Sequence, residues 1–275
     1  MRGDPVAHQQ TTAASAVPSG RPGQEQEPRR RLRASDVIRK ISQILGELLI
    51  TAGIVLLLFV GWELWWTNVE ANAKQTEAVQ SFAQDLTGPV TPAAPGNQTD
   101  YGPPVVGTAP ANGETIGIMY IPRFGADYTR PIIEGTGADV LDTLGLGHYG
   151  STSMPGATGN FAVAGHRQTH GAVLDSIHTL VPGDKIYVQT ADGYYTYVFR
   201  NNQIVLPNRT DVLMPVPTQP GIVPKESILT MTSCNPRFGS QERIIAYSVM
   251  ESWQPASAGP PSEIAAQVAK AQGKG

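Results

Sequence analysis

From Leu48 to Trp62 the chain runs for fifteen residues without a charge, LLITAGIVLLLFVGW. About 20 apolar residues span the hydrocarbon core of a bilayer. The run lengthens to 26 residues, Ile41 to Trp66, if Glu47 and Glu63 sit at the two interfaces. Trp62, Trp65 and Trp66 then form an aromatic belt at the far side. Arg29, Arg30, Arg31, Arg33, Arg39 and Lys40 precede the run, so the positive-inside rule places the N-terminus in the cytoplasm and everything after Trp66 outside. Ala71-Asn72-Ala73 resembles a signal-peptide cleavage site, but the long leader and the tryptophan-rich end favour an uncleaved single-pass anchor. The Arg29-Arg30-Arg31 run lies too far from the apolar core for twin-arginine export.

The whole chain, this segment included, has 275 residues. Residues 1–40 are basic and poor in large apolar side chains, as expected of a disordered cytoplasmic leader. Residues 67–112 read as an extracellular stalk, helix-compatible to residue 87 and then rich in Pro, Gly, Ala and Thr. Residues 254–275 lose strand-like patterning and read as a disordered tail. By subtraction the folded domain is 113–253. The net charge of −3 argues against nucleic-acid binding. The lone Cys234 excludes an internal disulfide and any CxxC metal site, and no acidic cluster predicts calcium. Neither metal nor cofactor is expected.

Within 113–253 the pattern is mostly β. TIGIMYI (115–121), TRPIIE (129–134), NFAVAG (160–165), KIYVQT (185–190), YYTYVFRNNQIVL (194–206), SILTMT (227–232) and RIIAYSVM (243–250) are rich in β-branched and aromatic residues. Ala191-Asp192-Gly193 is a hairpin signal. Short helices fit only near 138–144 and 172–180. Seven or eight short strands with few helices predict a mainly β barrel or sandwich.

The chemistry is sought at strand ends. Cys234 closes one apolar run and Arg243 opens the next, so an antiparallel pairing of the two brings these side chains within reach. His166 directly follows another run, NFAVAG. A thiol and an imidazole so presented suit a nucleophilic pair, with the histidine moving protons and a guanidinium stabilising thiolate or oxyanion. Arg237 competes with Arg243, and His148 and His170, both beside glycines, remain alternatives to His166. His8 lies in the leader and His178 in a helical pattern. A buried, inert Cys234 would leave an anchored binding domain without catalysis.

NFAVAGHR at 160–167, ILTMTSCNPRF at 228–238 and ERIIAYSVM at 242–250 resemble the three signature regions of the sortases, membrane-anchored cysteine transpeptidases of Gram-positive bacteria. IPRFG at 121–125 and GHYG at 147–150 are most similar to class E of the actinobacteria. The resemblance implies a closed β-barrel and the catalytic residues His166, Cys234 and Arg243. It also implies an LPxTG- or LAxTG-like signal on secreted proteins, cleaved between Thr and Gly through a Cys thioester. The accepting amine it implies comes from a peptidoglycan precursor or a pilin lysine. Met231 and Ser233 depart from the family's Leu and Thr, and both are mild changes. Tyr120 and Ser233 are the candidate substrate-binding residues. An L,D-transpeptidase-like cell-wall enzyme is the other cysteine enzyme considered, but its Ser-His-Gly-Cys element is absent, since Thr232-Ser233 precedes Cys234.

Overall fold

A computed structural model describes residues 33–92 and 100–274. The chain divides into two units, Met1–Gly53 and Ile54–Gly275. The expected leader, up to residue 32, lies outside the described residues. Its last part is not disordered: α1 (Ala34–Asp85) is already helical at Ala34. No helix breaker separates Ala34 from Ile41, and Asp36 in the first turn complements the helix dipole. The span 41–66 lies wholly within α1, which is long and apolar enough to cross a membrane, and its most hydropathic window buries nothing against protein.

Beyond the apolar span α1 changes character. Ala71, Gln75, Val79 and Ala83 recur every fourth residue, lie on one face and are buried. The segment expected to be a stalk is therefore part of the folded unit. The coil after it is also tied down: Tyr195 Oη donates to the Val105 carbonyl (2.6 Å) and Trp253 Nε1 to the Gly102 carbonyl (2.7 Å).

Eight strands close a barrel: β1 (Thr115–Tyr120), β2 (Thr129–Glu134), β3 (Leu146–His148), β4 (Gly159–Ala164), β5 (Lys185–Gln189), β6 (Gly193–Val205), β7 (Ser227–Asn235) and β8 (Glu242–Pro255). Their order around the wall is β1-β2-β3-β4-β7-β8-β6-β5. Closure removes the exposed edges that an open sheet would present. The Ala191-Asp192-Gly193 turn joins antiparallel β5 and β6. Three-residue β3 carries too little pattern to be read from sequence; it forms because β2 and β4 flank it. Two pairings, β2 with β3 and β4 with β7, are parallel.

Alternation along β1 sorts its side chains. Met119 joins Phe161, Leu229, Met231 and Ala246 inside the barrel, whereas Ile118 and Tyr120 face outward. That outer surface does not meet water. A second apolar cluster covers it, built from Val79 and Ala83 of α1, Tyr187, Tyr194, and Ile264, Val268 and Ala271 near the C-terminus. The expectation of a disordered tail is thus overturned: α3 (Ala265–Ala271) packs on the barrel, and Ile264 and Val268 are fully buried. Ile264, Val268 and Ala271 share one helical face, but a stripe so short and alanine-rich is easily mistaken for linker.

Candidate active site

Parallel pairing creates the site. β4 and β7 run side by side with Ala164 opposite Thr232, so both chains leave the barrel at the same rim. Two residues on from these partners come His166 and Cys234. The Gly165 amide donates to the Thr232 carbonyl (3.1 Å), and Ser233 Oγ returns a hydrogen bond to the Gly165 carbonyl (2.8 Å). On the other side β8 runs antiparallel to β7 with Arg243 directly opposite Cys234, and directly opposed residues project to the same face.

His166, Arg167, Cys234, Arg237 and Phe238 line one groove of about 290 Å³. Cys234 is a free, partly exposed thiol. His166 Nε2 lies 2.7 Å from Asp142 Oδ1, at the end of short helix α2 (Ala138–Leu141). The neutral ring therefore carries its proton on Nε2, donated to the carboxylate, and keeps a lone pair on Nδ1. Arg167, nearly all buried, donates from Nη1 to the Cys234 carbonyl (3.1 Å) and to Asn235 Oδ1 (2.6 Å). Burial lowers the pKa of its guanidinium, with the nearby Asp175 charge opposing the shift.

The flanking loops are fastened to each other. Arg237 makes two hydrogen bonds, 2.7 and 2.6 Å, to Asp175 on the 3-10 helix Asp175–Thr179, and its guanidinium lies 5.4 Å from the Phe238 ring centroid. The hydrogen-bonded Asp175 carboxylate raises the pKa of Arg237. From α1, Asn68 Nδ2 donates to the Gln168 carbonyl (3.1 Å), Asn68 Oδ1 accepts from the Gly171 amide (2.7 Å), and Gln75 Nε2 donates to the His170 carbonyl (3.0 Å). Helix α1 thereby holds the loop that carries His166.

The candidates from sequence separate clearly. His148 is buried, with Nδ1 2.7 Å from Glu134 Oε2 and Nε2 3.1 Å from the Ser153 carbonyl. It braces β2 against β3, and so is no rival to His166. His178 is exposed on its 3-10 helix, while His170 stacks beside His166 with ring centroids 4.9 Å apart. The substrate-binding assignments need correcting. Tyr120 is wholly buried under the outer cluster, its hydroxyl donating to Gln189 Oε1 (2.6 Å), because β1 alternation turns it away from the barrel interior and α1 and α3 cover it. Ser233 is buried as well, and its hydroxyl is used on Gly165. Ser233 holds β7 to the end of β4 and has no surface to offer a substrate. Met231 fills the core position expected for leucine.

Arg243 sits where the register predicts, yet its Nη1 donates to the Ser240 and Glu242 carbonyls, both at 2.9 Å. In this rotamer the guanidinium organises the β7–β8 loop. Sequence reasoning passed over Asp142 and the buried role of Arg167. Asp142 lies 24 positions from His166 and no spacing rule links them; the strand-end position of Arg167, next to the histidine, was its only signal.

Fold and rim together define an eight-stranded barrel carrying a cysteine–histidine site. A family model described as Sortase domain matches residues 119–251. Sortase SrtE1 of Streptomyces coelicolor is 36% identical over 230 residues, 81% of this chain and 61% of that protein's length. Sortase SrtE2 of the same organism is 32% identical, over 80% of this chain and 85% of its own. Among solved structures, the SrtA sortase from Actinomyces oris aligns with a TM-score of 0.57 at 37% identity, covering 59% of this chain and 94% of that one. Sortase E1 from Streptomyces coelicolor, with a tripeptide in its active site, aligns at 0.51 and 36% identity, covering 57% of this chain and 99% of that one. The chain belongs to the sortase family.

Proposed function

We propose that this protein is a membrane-anchored cysteine transpeptidase that cuts an LPxTG- or LAxTG-like sorting signal between Thr and Gly and passes the protein to an amine. One observation carries the reading: the parallel β4–β7 pairing delivers His166 and the only thiol to one groove, with Arg243 opposite the thiol. The relative crystallised with a tripeptide in its active site supports a peptide as occupant.

Cys234 as thiolate attacks the Thr carbonyl carbon, and the carbonyl π electrons move to oxygen. Arg243 swings from the loop carbonyls to stabilise that oxyanion. Collapse breaks the C–N bond while His166, as imidazolium, gives its Nδ1 proton to the departing glycine amine, leaving a thioester. An amine then attacks the thioester, Nδ1 takes its proton, and the thiolate leaves as the new amide forms. Asp142 holds Nε2–H throughout, which orients the ring and stabilises its cationic form. The acceptor is a peptidoglycan-precursor amine or a pilin lysine, and the catalytic unit lies outside the membrane with the basic N-terminus in the cytoplasm.

The test uses the full chain in detergent, with paired LAxTG and LPxTG peptides and with diaminopimelate-type or glycine nucleophiles. A Cys234 acyl adduct by mass spectrometry that depends on His166, together with amine-dependent product, is the expected result. Undiminished turnover by Cys234→Ala would end the proposal.

A further inference from the structure

Beside the thiol lies a second constellation. Asp142, His166 and His170 each offer one ligand atom, and the three atoms lie within 4.8 Å of one another. The carboxylate oxygen is 2.7 Å from His166 Nε2 and 4.0 Å from His170 Nδ1. His170 Nδ1 is buried and makes no hydrogen bond, and it lies 4.0 Å from Asp142 Oδ1. His170 also has φ 53°, in the left-handed region, and the Gln75 hydrogen bond to its carbonyl holds that backbone.

We propose that Asp142, His166 and His170 form a reversible site for a divalent transition metal, zinc foremost, and that the bound metal switches the enzyme off. Two imidazole nitrogens and one carboxylate oxygen suit zinc, whereas calcium and magnesium prefer oxygen alone. Zinc bonds of about 2.0–2.1 Å in tetrahedral array separate the ligand atoms by roughly 3.3 Å. The 2.7 Å pair opens and the 4.0 Å pair closes by less than an ångström, within reach of side-chain rotation. All three side chains are partly exposed, so water can fill the fourth position.

The switch rests on His166 being the acid–base residue. Metal on Nε2 replaces the proton shared with Asp142, and the neutral ring then carries its proton on Nδ1. No lone pair remains to accept a proton from the incoming amine.

Binding and turnover are measured separately on the full-length protein. Calorimetric titration with zinc, calcium and magnesium chlorides gives one zinc per chain and no heat from the other two. His170→Asn, which tolerates the left-handed backbone, weakens zinc binding by at least about tenfold, and His170→Ala does the same. Circular dichroism and melting of each variant report folding. Zinc inhibition, scored against each variant's own metal-free rate, weakens in step with binding and is reversed by EDTA. No zinc binding by the wild type, or equal zinc binding by well-folded His170→Asn, overturns the site. Equal inhibition of wild type and His170→Asn assigns the metal to the Cys234 thiolate and overturns it too. Binding without inhibition overturns the switch. Zinc binding that depends on His170 in a protein that cleaves no peptide upholds the site while sinking the proposed function.

Discussion

The Arg167 guanidinium donates a 3.1 Å hydrogen bond to the main-chain carbonyl of Cys234, so the residue that follows the histidine fixes the backbone of the thiol. A second bond, 2.6 Å to Asn235 Oδ1, holds the next residue as well. Arg167→Met leaves both acceptors without this donor, and a lost bond of this kind costs about 1–3 kcal/mol. We expect a lower melting temperature and a turnover loss falling mainly on kcat, since the thiol is misplaced while the groove survives. Arg167→Lys, which lacks the planar fork, recovers only part of either. Peptide cleavage kinetics beside thermal melting check this; an unchanged kcat removes Arg167 from the site's support.

Asp142→Asn presents an amide to His166 Nε2 in place of the carboxylate. The amide can donate to that nitrogen, which favours the tautomer protonated on Nδ1, and it provides no charge to stabilise imidazolium. Turnover is expected to fall by about 10²–10⁴, the range associated with general acid–base assistance. Steady-state kinetics across pH decide it, and a variant with wild-type kcat and an unmoved pH profile reduces the contact to a surface ion pair.

The clamp made by α1 predicts that this helix matters for turnover. Removing the side-chain bonds of Asn68 and Gln75 together, as Asn68→Ala/Gln75→Ala, frees the Gln168 and His170 carbonyls and the Gly171 amide. Faster hydrogen exchange over 166–172 and a several-fold fall in kcat are expected. Exchange equal to wild type in this loop contradicts the clamp.

A chain ending after Pro255 loses Ile264 and Val268 from the cluster that covers Tyr120, Tyr187 and Tyr194. Each buried aliphatic side chain contributes about 1.5–3 kcal/mol, so the truncation is strongly destabilising although it removes nothing near Cys234. Val268→Asp has the same sign through an unpaired buried charge. Denaturant unfolding that matches the intact protein would show the tail to be dispensable.

Arg123 donates two hydrogen bonds, 2.7 and 2.6 Å, to Asp184 and holds that carboxyl's pKa below its usual value. The contribution is complete above the unfolded carboxylate value of about 3.9 and is lost as pH falls through the lower folded value. Arg123→Gln is therefore expected to lower stability at neutral pH and to converge on wild type in strong acid. Chemical denaturation at both pH extremes measures the difference, and a gap that widens in acid contradicts the pairing.

The uncharged run at 48–62 and the alternating β segments are local patterns, so period and composition located the long apolar helix, most barrel strands and Cys234, while the choice of His166 over His148 and His170 came from the resemblance of its motif. Short segments were misread for a physical reason. β3 and α3 have too few residues to show a period, and they are ordered by what packs against them. Likewise the Ala71-Gln75-Val79-Ala83 face of α1 looks polar and small until a barrel surface covers it.

The sequence by itself determined that a single thiol would stand at the end of a β strand, beyond a helix long and apolar enough to cross a membrane, because hydropathy and strand periodicity are properties of neighbouring residues. Only the tertiary structure decided what surrounds that thiol. Parallel pairing of β4 with β7 joined residues 68 positions apart and used the Ser233 hydroxyl, α2 brought Asp142 to His166, and α1 and α3 buried Tyr120, which local pattern had left open to substrate. Those contacts depend on strand order and register, and strand order is set by the packing of the whole core.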